Sequence, residues 1–244
     1  MLTRYDEYLC HQIASTFDHV ETSAREWSER IIIHTHDTEG KIHLSCGMGV
    51  YRNRNVTDAF ACLTLEGKTQ YVVRASRELR PQPDETIVGP FVYETLESLR
   101  RVRYALGENP HGVSYDLTFE GVMPCHEEDG QFFRVRGRVI EHVERYDQVG
   151  RAAGWIRAGG RTFRFDGKDA LYVARDHSWG IRRVWGRWGC SRRRFPTDIS
   201  IVGPYCSFPH GGPPITSGNS GMARVCSQVA ASSILLGAER ENSA

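Results

Sequence analysis

One stretch of the sequence concentrates side chains able to do chemistry: Arg175-Asp176-His177-Ser178-Trp179-Gly180. Histidine gives or takes a proton near neutral pH. An adjacent carboxylate can hold it in one tautomer or raise its pKa. A tryptophan face can stabilise a developing cation. In extended backbone successive side chains alternate, so Asp176 and Ser178 face one way and His177 and Trp179 the other. That places a proton donor and a cation-stabilising ring on one wall of a cavity, with Asp176 behind His177. The plainer reading is structural: Trp179 plugs a barrel end, and the Arg175/Asp176 pair ties down a loop.

Other chemistry-bearing groups are scattered. His34, His36 and His43 could converge across a hairpin, and His34 and His36 share a strand face able to bind a metal. No carboxylate keeps a fixed offset from them, so they read as solvent-facing and no metal is expected. Arg74 and Arg77, with Arg52 and Arg54, could grip a carboxylate or phosphate bidentately; surface arginines on edge strands explain them as well. Arg192-Arg193-Arg194 beside Trp185 and Trp188 has the ingredients for stacking on single strands. The near-neutral net charge and the absence of an RNA-binding motif favour a solvated segment instead. Gly47-x-Gly49 falls inside a strand, so it is no dinucleotide loop, and no cofactor is expected.

The elements that must position these residues have period two, the signature of half-buried strands. Ile42, Leu44, Cys46, Met48 and Val50 alternate with small or polar residues after the turn Asp37–Gly40, pairing with residues 31–36. Residues 58–65 and 69–76 flank the turn Glu66-Gly67-Lys68. Strands follow at 85–95, 99–106 and 111–120, the last with Val113, Tyr115, Leu117 and Phe119 on one face. Ser23-x-x-Glu26 reads as a capping box for a turn or two of helix through Trp27. Pro124–Gly130 is acidic and turn-rich. Phe133, Val135 and Val139 then alternate with arginines, Gly159-Gly160 marks a hairpin, and residues 170–175 form a last strand leading into the Asp-His-Ser-Trp stretch. The fold class expected is mainly β, an antiparallel lipocalin-like (calycin-type) barrel or sandwich. Residues 1–125 would form a first β-unit, 126–194 a second and incomplete one, and 195–244 a low-charge tail, partly disordered. Met222, Val225, Cys226 and Val229 have helical spacing within that tail.

The chain has 244 residues, with 31 Lys and Arg against 30 Asp and Glu, a net charge of +1. That balance gives no reason to expect nucleic acid or an anionic membrane as partner. No apolar run is long enough to span a bilayer, and the N-terminus lacks a secretory pattern. Seven cysteines at wide spacings, without a Cys-x-x-Cys pair, read as free thiols in a reducing compartment, the cytoplasm.

The segment Arg175–Gly180 resembles the Asp-His-Glu-Trp motif of carotenoid 1,2-hydratases (hydroxyneurosporene synthases) and AttH-like proteins. Ser178 stands where that motif has Glu. From Asp6 to Arg183 the chain resembles an uncharacterised family of the same superfamily, through Asp6-Glu7-Tyr8-Leu9-x-His11-Gln12, Gly49-Val50-Tyr51-x-Asn53-Arg54, Val73-Arg74-Ala75-Ser76-Arg77 and Val88-Gly89-Pro90. The resemblance implies two consecutive lipocalin-like β-units, and roles in protonating an isoprenoid double bond for the residues matching His177 and Trp179. Of the Tyr-x-Asp that those enzymes carry further along, only Tyr205 is found, followed by Cys206. The expectation is recognition of a small hydrophobic molecule, isoprenoid-, steroid- or polyketide-like, in a barrel cavity. Hydration, isomerisation or cyclisation would use His177, Asp176 and Trp179, and Arg175, Ser178, Arg74 and Tyr51 would contact the ligand. The alternatives are a lipophilic carrier without catalysis and a structural or degenerate family member.

Overall fold

The computed structural model describes residues 1–182, and every strand among them belongs to one antiparallel sheet. After a 3-10 turn at Arg4–Glu7, a meander is formed by β1 (Trp27–His36), β2 (Ile42–Tyr51), β3 (Val56–Leu65) and β4 (Thr69–Glu78). A second meander comprises β5 (Ile87–Val88), β6 (Phe91–Glu97), β7 (Arg101–Leu106) and β8 (Val113–Gly121). Short β9 (His126–Glu127) and β10 (Gln131–Val135) precede β11 (Arg138–Ala158), and β12 (Arg161–Phe165) and β13 (Leu171–Arg182) follow it. The strand order is β4-β3-β2-β1-β13-β11-β8-β7-β6-β5, with β9, β10 and β12 each paired to β11.

The two ends of that order meet. Arg77 on β4 donates from Nε to the Ile87 carbonyl on β5 (2.8 Å) and from Nη2 to the Glu85 carbonyl (3.0 Å). The sheet is thus a nearly closed barrel, which leaves little edge for unwanted pairing. Alternation supplies its filling: Leu44, Leu63, Leu117, Ile156 and Leu171 are fully buried in one cluster with Ile33, Phe119 and Val173. Within this core a cavity of about 20 Å³ is lined by Ile33, Cys46, Met48, Phe91, Tyr93 and Tyr115, room for about one water.

Most hairpins fall where the turn residues place them. Gly159 and Gly160 have φ of 58° and 72°, the left-handed pair a two-residue hairpin loop requires. Two expectations are corrected. Residues 23–27 form no helix; Trp27 opens β1 and is buried opposite Ile181, because its inward position continues the row of Ile31 and Ile33. The capping box lies instead at Thr3 and Asp6, where Thr3 N–H donates to Asp6 Oδ2 (2.6 Å). The Asp-His-Ser-Trp stretch does not follow the last strand but lies within β13, since β1 and β11 bond it on both sides. Residues 138–158 make one 21-residue strand, held on one side by β13 and on the other by β8, β9 and β10. Pro124–Gly130 runs from β8 toward β10 and carries β9, and β11 pairs with β8. The expected tail, its helix around 222–229, Arg192–Arg194, Tyr205 and Cys206 lie outside the described residues.

Candidate functional site

His177 lies on β13 opposite Ile31 of β1 and Tyr146 of β11. It faces inward, in line with the buried Leu171, Val173 and Arg175. Glu29 precedes Ile31 by two positions and therefore shares that face. Its Oε1 meets His177 Nε2 at 2.9 Å, and the other ring nitrogen, Nδ1, meets the Tyr146 hydroxyl at 3.1 Å. One residue pair further out, Trp179 packs edge-on against both rings, at 5.5 Å from His177 and 6.5 Å from Tyr146. Trp179 keeps 38% of its surface exposed, while Trp27, one row further out beside Ile181, is buried. Burial raises the Glu29 carboxyl, but the hydrogen bond and charge of His177 and the charge of Arg52 outweigh it and hold Glu29 below the ordinary glutamate value. Burial raises the Tyr146 phenol despite the Arg175 charge nearby.

The next row inward is Arg175 opposite Gln148. Arg175 is 4% exposed. Its Nε and Nη2 donate to Gln148 Oε1 (3.0 and 2.6 Å), its Nη1 to the Tyr93 hydroxyl (3.3 Å), and its Nη2 to Cys125 Sγ (3.9 Å). The guanidinium lies 5.0 Å from the Phe119 ring centre and 5.6 Å from that of Tyr146. Burial pushes the Tyr93 phenol up to about 12.

The expected partnership of Asp176 with His177 is corrected by the alternation itself. Asp176 is on the opposite face, across from Asp147 on β11 and near Arg145, Arg182 and Glu128. The carboxylate that meets His177 is Glu29, which sequence spacing alone could not bring there from 148 residues away. Asp147 is pushed up to about 7 by burial, by sharing a hydrogen bond with Glu128, and by the charges of Glu128 and Asp176. Ser178 is buried on that same outer face, between Arg30 and Arg145 in register. Tyr51 and Arg74 do not join the His177 group. The Tyr51 hydroxyl donates to Asp58 (3.2 Å) with Arg54 4.2 Å from its ring centre, and Arg74 sits on the outer face of β4 opposite Phe60. Burial raises the Asp58 carboxyl, against the Tyr51 hydrogen bond and the charges of Arg30, Arg54 and Arg74.

His34 and His43 stack at 6.2 Å and His36 stacks on Tyr172 at 5.5 Å. Among the described residues no group of three or more His, Cys, Asp or Glu is arranged to hold a metal ion. Glu29, Tyr146, Gln148 and Tyr93 were not legible as site residues. The available signal was parity: Glu29 with Ile31 and Ile33, and Tyr146 and Gln148 with Ala152, once 138–158 is read as a single strand.

Fold and site together define an antiparallel, nearly closed β-barrel with a polar cluster on the inner wall of one end. The chain belongs to a family of unknown function, DUF8625, which matches residues 2–197. No curated protein matches it. Among solved structures it is similar to a candidate AttH (NE1406) from Nitrosomonas europaea, with a TM-score of 0.48 and 10% identity over 65% of this chain and 52% of that one. It is also similar to CghA with Sch210972 (TM-score 0.34, 11% identity, 65% and 42% covered) and to CghA alone (0.33, 12%, 65% and 42%). The chain spans about half the length of these structures or less.

Proposed function

We propose that the protein binds a small, mainly apolar molecule at the Trp179 end of the barrel and moves a proton to or from it through Tyr146. The observation that carries this reading is the chain Glu29–His177–Tyr146, closed on its outer side by Trp179. Both imidazole nitrogens are engaged by protein groups, so His177 has no nitrogen left for a ligand. With the imidazole neutral, Nε2–H donates to the ionised Glu29 and Nδ1 accepts from the Tyr146 hydroxyl. With the imidazole protonated, both N–H groups donate, and the Tyr146 O–H is released to donate outward. Tyr146 is then the group that touches the ligand, His177 supplies or takes the proton behind it, and Glu29 stabilises the imidazolium. Trp179, Tyr146 and the His177 ring offer the apolar contact.

The location differs from a deep-calyx carrier. Ligand cavities usually span roughly 300–1,000 Å³, whereas the core cavity lined by Tyr93, Tyr104 and Tyr115 has about 20 Å³. The reading therefore places the ligand at the mouth. The acid-catalysed hydration, isomerisation and cyclisation of an alkene all begin with such a proton transfer.

The test is a retention and conversion assay. The intact chain and its Tyr146→Phe, His177→Ala and Trp179→Ala variants are incubated with an isoprenoid and lipid extract, and bound and altered molecules are identified by mass spectrometry. The expected result is retention that Trp179→Ala abolishes, and conversion by the intact chain that Tyr146→Phe abolishes while retention persists. A folded protein that retains nothing contradicts the reading. Retention unaffected by any of the three substitutions contradicts its location.

A further inference from the structure

The guanidinium of Arg175 is buried, and none of its hydrogen bonds or ion pairs is to a carboxylate among the described residues. A buried charge without a counter-charge is costly, yet the surroundings are built to keep it. Gln148 Nε2 donates to the Leu99 and Met123 carbonyls (2.8 and 2.9 Å), which fixes its Oε1 toward Arg175. Gly121 on β8 leaves room for that amide, since a Cβ there would collide with it. Tyr93 from β6 and Cys125 from the β8–β9 link complete the shell, all of them neutral acceptors. Of the inward-facing acids on the two strands that flank β13, Glu29 of β1 is hydrogen-bonded to His177, and Glu144 of β11 lies two residue pairs from Arg175, opposite Trp179. With no carboxylate partner among the described residues, Arg175 projects a positive field past the Tyr146 ring, whose centre is 5.6 Å from the guanidinium carbon, and the charge of Glu29 opposes it there.

We infer that the ligand presents an oxygen anion, a carboxylate or an enolate, which accepts a hydrogen bond from the Tyr146 hydroxyl with Arg175 as the fixed counter-charge behind it. The inference rests on the reading of the Tyr146 site above and narrows its ligand class. A preorganised charge aimed at a developing anion is effective in a water-poor site. The same field disfavours a carbocation beside Trp179, the chemistry expected from the sequence motif.

The test uses three probes on one scaffold: naphthalene-2-carboxylate, naphthalene-2-methanol and naphthalene-2-methylammonium. Binding is measured by saturation-transfer NMR on the full chain and on Arg175→Met and Cys125→Asp. The second variant leaves Arg175, His177, Tyr146 and Trp179 in place and supplies a carboxylate where Cys125 Sγ meets Arg175 Nη2. The intact chain should prefer the carboxylate over the alcohol by about tenfold or more and show no binding of the ammonium. Both variants should lose that preference, and Cys125→Asp should melt at a higher temperature than the intact chain. Equal binding of carboxylate and alcohol, lost in Trp179→Ala, would overturn the anion inference and leave the mouth site standing. Undiminished carboxylate preference in a folded Cys125→Asp would overturn it as well. Failure of all three probes to bind would overturn both.

Discussion

At the residue scale, two faces of one strand segment hold opposite electrostatic problems. On the inner face, His177 is held between an acid and a phenol, with a buried cation one row away. On the outer face, Asp147 and Asp176 stand directly opposite each other with Glu128 alongside, and Arg145 is 3.4 Å from Glu128 and 3.9 Å from Asp176. Like charges directly across a ladder repel. Burial first, then the hydrogen bond and charge of Glu128 and the charge of Asp176, keep the proton on Asp147 to about pH 7 in the folded state, against a usual value of 3.8. Between those values the folded chain binds one proton more than the unfolded chain. Stability is therefore greatest below pH 4 for this group and falls as pH rises toward 7. Asp147→Asn should leave the melting temperature nearly unchanged at pH 4 and raise it at pH 8. Equal shifts at both pH values would contradict the shared-proton account. The motif's own letters showed His177 and Trp179 on one face and Asp176 on the other. They did not show that Glu29 and Tyr146 arrive from β1 and β11, because those contacts depend on register between distant strands.

At the element scale, turn chemistry and alternation made most strands legible, and the long β11 was the element missed. Its inward row reads Glu144, Tyr146, Gln148, Gly150 and Ala152, which mixes polar, aromatic and small side chains. Small residues appear where neighbours press close: a Cβ on Gly150 would meet the Glu120 carbonyl and the Phe119 ring. The final glycine of the Asp-His-Ser-Trp stretch has a similar cause. Gly180 has φ +130°, and a Cβ there would run into the His142 carbonyl of β11. Gly180→Ala should destabilise the protein by about 2–3 kcal/mol. Gly40→Ala, at a turn with positive φ but open space around it, should cost only about 1 kcal/mol. Chemical denaturation of the two variants compares them, and equal losses would mean that the β11–β13 approach does not set the requirement for glycine. The expected helix at Ser23–Trp27 fails for a related reason: burial of Trp27 on the inner row outweighs a local capping pattern.

At the scale of the whole barrel, closure depends on one side chain more than on a ladder. Besides its bonds across the seam, Arg77 donates from Nη1 to the Glu78 and Leu79 carbonyls (2.8 and 3.1 Å). Charged donors to carbonyls contribute about 1.5–3 kcal/mol each when buried, less at a partly exposed seam. Arg77→Ala should lower stability by about 2 kcal/mol and speed amide exchange in β5 and β6 more than in β11 and β13; uniform acceleration would contradict a local seam. The barrel class was readable from the sequence because hairpin spacing is a local property. A core filled almost to its centre was not readable, since it depends on how inward residues from opposite walls meet. The function proposed above places the ligand at the end where Glu29, His177, Tyr146 and Trp179 converge.

Long-range proton–nitrogen NMR of the histidine rings tests, without a ligand, whether Glu29, His177 and Tyr146 form one proton path. At alkaline pH, with His177→Ala used for assignment, the His177 ring should carry its proton on Nε2 with Nδ1 bare. Glu29→Gln and Tyr146→Phe should each shift both nitrogens. A ring protonated on Nδ1, or one indifferent to both substitutions, would contradict the account.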